Sequence, residues 1–154
     1  MSYLKAITVN LIILAVFFVL VLLLLNADSW LELKDYRSMP ASVVGWLLVL
    51  SGFVLRLWAF SAAQKNLAGN NGYVEPLITE GPYARTRNPL EVGIMLLVSG
   101  LVVTMGSYIG FALPVAAFFV LDAWIRSKEK DTEVAFGSRF LEYKSSVPRW
   151  LWKE

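Results

Sequence analysis

The chain has 154 residues, of which 57% are hydrophobic and only 17% charged, whereas soluble domains hold about 45–50% apolar and about 25% charged residues. With no Cys and no His, disulfide frameworks, thiolate metal sites, cysteine nucleophiles and every use of imidazole are excluded, and no metal site is expected. A formal net charge of +2 gives no electrostatic case for nucleic acid as a partner, which leaves a single membrane domain covering residues 1–154.

The first apolar run, 7–25, carries no charge. A helix of that length spans roughly 28 Å, close to the hydrocarbon thickness of a bilayer. A signal peptide would have a shorter apolar core and a small-x-small cleavage site. Leu24-Leu25-Asn26-Ala27 supplies no such site, so the run reads as an uncleaved transmembrane helix. Further runs cover about 43–60, 90–105 and 108–125, the last two separated only by Gly106-Ser107. The expected fold is therefore all-α and polytopic, with four transmembrane helices, a loop at 61–89 and a helical tail at 126–154. Gly93 and Gly100 lie seven apart on one helix face and predict a close helix contact. Arg56 and Asp122, near the ends of the second and fourth spans, are expected to pair.

Lysine and arginine placement sets orientation. Lys5, Lys65, Arg85, Arg87 and the cations from Arg126 to Lys153 fall on one side, against Lys34 and Arg37 on the other. The loop, the tail and both termini are accordingly expected to be cytoplasmic. Trp30, Trp46, Trp58, Trp124, Trp150 and Trp152 sit near span ends or in the tail, as interfacial anchors do.

Two polar segments thus share one membrane face. In the first, Gly81-Pro82 marks a turn. Asn88-Pro89-Leu90-Glu91 fits a helix start, with Asn as cap, Pro at the first helical position and Glu closing a capping box. In the second, Glu129 and Glu133 are four apart on one helix face. Phe136, Phe140 and Tyr143 form an apolar stripe, and Val147-Pro148-Arg149-Trp150 ends the helix.

These two segments, L-x-T-x-G-P-Y-x-x-x-R-N-P and E-x(6)-F-G-x-x-F-x-x-Y-x-x-x-V-P-R, separated by an apolar hairpin, resemble the isoprenylcysteine carboxyl methyltransferase and phospholipid methyltransferase group. The resemblance covers roughly 43–150. It implies an integral membrane enzyme using S-adenosylmethionine, which carries its own electrophile and so suits a chain without His. A carboxylate nucleophile requires no base, so the favoured acceptor is a lipophilic carboxylate, as in isoprenylcysteine carboxyl methylation. A lipid or prenylated acceptor and membrane lipids are the implied partners. A phospholipid amine methyltransferase and a non-catalytic membrane scaffold are the alternatives.

By motif, the resemblance assigns cofactor contacts to Gln64, Glu75, Pro76, Leu77, Ile78, Tyr83, Asn88, Pro89, Leu90, Glu91 and Glu129, and a substrate contact to Arg126. Two positions depart from the group's pattern. Asn88 stands where relatives carry His, and Glu91 where they carry an aromatic. Together these two residues are the capping box noted above.

Overall fold

The computed structural model describes residues 19, 23, 27–28, 30–33, 37–69 and 77–151, with no side chains described at 65–69. The expected first span lies largely outside them, although Val19 and Leu23 are both helical. Apolar runs rich in good helix formers propagate as helix, and four complete helices lie among the described residues. They are α1 (Met39–Gly69), α2 (Pro89–Met105), α3 (Ala112–Phe136) and α4 (Ser138–Ser146). Short 3₁₀ turns at Gly81–Ala84 and Ile109–Phe111 precede α2 and α3. The described residues contain no strand.

Met39–Gln64 and Ile109–Phe136 are each long and apolar enough to cross a membrane, and α2 is a shorter apolar helix. Along α1, Val43, Trp46, Leu47, Leu50, Phe53, Leu57 and Phe60 are all exposed. Such a continuous apolar surface is disfavoured in water and suited to lipid. The second run is longer than expected, extending to Met39 and Gly69. At its start, Pro40 is tolerated in the first turn after Ser38, whose hydroxyl accepts from the Ala41 amide. Toward its end, Ala62, Ala63 and Gln64 are good helix formers.

α1 and α2 are in backbone contact through two glycine pairs. A Cβ on Gly100 would stand 2.6 Å from the Gly45 carbonyl oxygen, and one on Gly52 would stand 2.7 Å from that of Gly93. Gly93 and Gly100 therefore do make the expected close contact, against partners with the same seven-residue spacing. In an apolar medium such contact is what joins helices, since lipid supplies no hydrophobic drive for association.

The same groove redirects Arg56. Its Cγ lies 2.4 Å from where a Gly93 Cβ would be, so the stem crosses α2 and Nη1 donates to the Leu90 carbonyl at 2.9 Å. The expected Arg56–Asp122 pair does not form. Asp122 instead accepts from Arg126 Nε at 2.7 Å and Trp150 Nε1 at 3.1 Å.

Trp150 is also not an interfacial anchor. It is 3% exposed and packs with Val92 and Ile125, flanked by Leu55, Met95, Leu96, Phe118 and Leu121. The chain after α4 turns back and inserts this indole between α2 and α3, where Asp122 satisfies its N–H. Trp30, Trp46, Trp58 and Trp124 remain exposed. A second cluster, Val98, Val102 and Leu113 with Ile94, closes the opposite end of the α2–α3 hairpin. There Arg37 Nη2 donates to the terminal Met105 carbonyl at 3.3 Å.

Candidate functional site

The loop before α2 folds tightly because Pro82 fixes one backbone angle and Gly81, at φ 63°, adopts a conformation that L side chains resist. The Tyr83 and Arg85 amides donate to the Glu80 and Pro82 carbonyls at 3.2 and 3.1 Å. Beyond α3, Gly137 (φ 54°) breaks the helix, and α4 leaves in a new direction. The aromatic stripe is thereby divided: Phe136 closes α3, while Phe140 and Tyr143 are buried on α4.

Loop and tail are then stitched together. The Arg87 amide donates to the Pro148 carbonyl at 2.9 Å. The Thr86 hydroxyl and the Asn88 side-chain amide both donate to the Arg149 carbonyl, at 2.8 and 3.2 Å. The Tyr143 hydroxyl donates to the Tyr83 carbonyl at 2.6 Å. Asn88 therefore occupies the cap position of α2 without making a side-chain cap bond. The capping-box expectation fails because the Arg149 carbonyl takes the Asn88 amide and Glu91 faces Lys128. Pro89 does begin the helix, as expected.

Glu129 is the centre of this unit. Arg87 Nε and Nη2 both meet its Oε1 at 2.9 Å. Arg149 Nε and Nη2 meet its Oε2 at 3.1 and 3.0 Å. The three side chains are 6%, 9% and 8% exposed in the order Arg87, Glu129, Arg149. Arg87 Nη1 reaches further, to the carbonyls of Lys144 and Val147, and so caps the end of α4. Arg149 Nη1 lies 3.6 Å from Asp122 Oδ1. Planar, forked guanidiniums suit this double grip in a way that a lysine cannot. Glu133 has a different partner, the exposed Lys144, at 3.2 Å.

Glu91 is buried on the first turn of α2, and Lys128 Nζ lies 3.4 Å from its Oε1. Tyr83 is half-buried nearby, and both burial and the Glu91 charge push its phenol above the ordinary range. Burial also raises Tyr143, against the pull of Arg87.

The structure thus draws Tyr83, Asn88, Pro89, Glu91 and Glu129 into one region. Leu77, Ile78 and Leu90 border it, half-buried. Gln64 is exposed two residues after Ala62, which lies beside the Gly81 turn, and Arg126 is exposed and paired with Asp122. Glu75 and Pro76 lie outside the described residues. Arg87 and Arg149 are not singled out by the sequence, where they read as a topology charge and part of a helix terminator. No local signal marks them, since both meet Glu129 only across the fold.

Apolar helices with lipid-facing surfaces, carrying one polar unit assembled from a loop and a tail, define a membrane protein with a chemically equipped face. The phospholipid methyltransferase family model matches residues 40–139, and the chain belongs to that family, part of the wider isoprenylcysteine and phospholipid group of integral membrane methyltransferases. No curated protein and no solved structure matches the chain.

Proposed function

We propose that this protein transfers a methyl group from S-adenosylmethionine to a lipophilic acceptor that reaches the polar unit from the bilayer. The observation that carries this reading is the joining of the 77–91 loop to the tail around Glu129, Arg87 and Arg149. Two segments distant in sequence are thereby held as one surface beside apolar helices. The donor supplies a methyl on a cationic sulfonium, so the protein's part is to bind, orient and exclude water.

The residues suit that role unequally. Glu91 offers a buried carboxylate with a weakly held partner, and Tyr83 offers an aromatic ring beside it. Leu77, Ile78, Asn88, Pro89 and Leu90 line the same loop and helix start. Glu129 has both oxygens engaged by guanidiniums, so it fits a positioning role better than direct contact with the donor.

A carboxylate acceptor is the favoured substrate. Its oxygen attacks the methyl carbon, the C–O bond forms as the S–C bond breaks, and no proton need be removed. Arg126, exposed on α3 and paired with Asp122, is the residue we assign to orienting such an anion. A phospholipid amine is the second reading, supported by the family's description and by Glu91, a carboxylate available to take the ammonium proton.

Calorimetry of the detergent-solubilised protein with S-adenosylhomocysteine tests the donor, and binding is expected. A folded sample with no binding overturns the donor reading and favours a scaffold role. Transfer of labelled methyl into a prenylated peptide or into a lipid extract then assigns the acceptor.

A further inference from the structure

The Glu91 carboxylate is 5% exposed, and among the described residues its hydrogen-bonding partner is Lys128 Nζ at 3.4 Å. The same ammonium stands 4.9 Å from the centroid of the Trp124 ring. A primary ammonium set between a buried carboxylate and an indole ring has the makeup of a recognition site for a small organic cation. Here the cation belongs to the chain itself.

We infer that Glu91 and Trp124 form a cation subsite, filled by Lys128 until the sulfonium of the methyl donor or the ammonium of an amine acceptor displaces it. The contrast with Glu129 is the basis. Glu129 is held by two buried guanidiniums, each through two nitrogens, and has no partner that can be shed. Glu91 is held by one long contact from a side chain that is 50% exposed. Lys128 can swing to water on its own flexible stem.

Removal of Lys128 leaves a buried carboxylate uncompensated, which is strongly unfavourable unless another cation arrives. A neutral or anionic ligand has no such means of replacing Lys128. The arrangement is therefore a charge filter, and Glu91 sets its sign. Tyr83 adds a second aromatic group within the electrostatic reach of Glu91.

The sulfonium arm rests on the donor reading above, whereas the ammonium arm does not. Calorimetry in detergent compares S-adenosylmethionine with S-adenosylhomocysteine, which differ in the sulfonium charge. It also compares a short-chain phosphoethanolamine lipid with its phosphoglycerol counterpart. In at least one pair the cationic member is expected to bind more tightly. Glu91→Gln should reduce that preference about tenfold, the scale of one charge-assisted contact. Lys128→Met, which keeps the stem over Trp124, should raise it about threefold.

A preference in the first pair assigns the subsite to the donor, and one in the second pair assigns it to the acceptor. If both ratios are unchanged across the wild type and both variants, all shown by melting to be folded, the inference is overturned. Should Glu91→Gln fail to fold, Lys128→Met decides alone, and no rise in either ratio overturns it. If neither nucleoside binds the folded wild type, the donor reading fails and the lipid pair still decides the subsite.

Discussion

Arg87 and Glu129, 42 positions apart in the chain, are joined by two guanidinium nitrogens, each 2.9 Å from one carboxylate oxygen. Arg149 takes the other oxygen, so each residue of this trio depends on the rest. Removal of one member of a buried ion pair typically costs about 3–5 kcal/mol. Glu129→Ala is expected to destabilise by that amount, because two buried guanidiniums lose their counter-charge together. Thermal unfolding in detergent measures it. A loss no larger than that of Glu133→Ala, which removes an exposed pair with Lys144, would show that the trio contributes nothing special.

The glycine contacts give a prediction about the membrane-facing half. Gly100→Ala places a methyl 2.6 Å from the Gly45 carbonyl oxygen and 2.7 Å from the Val49 amide nitrogen. Both are backbone atoms that cannot rotate aside. The helices must separate, at a cost of about 1–3 kcal/mol for overpacking. Gly137→Ala meets no neighbouring atom, and its penalty arises only from the positive φ. Comparison of the two variants by unfolding separates close approach from backbone strain.

Tyr143 provides a test at alkaline pH. Burial raises the pKa of its phenol, and the neutral hydroxyl donates to the Tyr83 carbonyl. A group whose folded pKa is raised contributes stability that is complete below its unfolded value, about 10, and is lost as pH climbs through the folded value. Tyr143→Phe should lower stability by about 1 kcal/mol at neutral pH. It should also remove the last-titrating component from the tyrosinate absorbance. Unchanged titration of the remaining tyrosines and an unchanged high-pH limb would contradict the assignment.

Asn88→His places at this position the residue that the family resemblance implies there. The imidazole can still donate to the Arg149 carbonyl, but it introduces a titration the wild type lacks. Burial at this position should depress its pKa, so the stability contributed by the neutral form is lost as pH falls through the folded value. Because the chain contains no other His, its imidazole resonance can be followed alone by NMR. A pKa at or above the ordinary value of about 6.5 would show that position 88 is not the enclosed site described.

The legible and illegible parts of the sequence divide along a physical line. Helices α1 to α3 follow from long, mainly apolar runs, and Gly93 with Gly100 announced a tight interface through spacing alone. Such features are local, written within one or two turns. Arg87, Arg149 and Trp150 acquire their roles only from contacts made across the chain. In sequence, a cation beside a membrane span reads as a topology signal and a tryptophan in a tail as an anchor. Asn88 and Glu91 show the converse error. Their spacing satisfies a capping box, but tertiary partners offer each side chain a different contact, and the local rule loses.

The return of Val147 to Trp150 onto the helices has a consequence for the order in which the protein is made. The Arg149 carbonyl that receives Thr86 and Asn88 lies 63 positions after Thr86, so α1, α2 and α3 all leave the ribosome before it does. During that interval the loop has no tail to hold it, and Glu129 lacks one of its guanidiniums. The polar face therefore matures after α1, α2 and α3 have been made and have had the chance to insert. A nascent chain halted shortly before Arg149 would be a membrane protein already, but not yet one with a site.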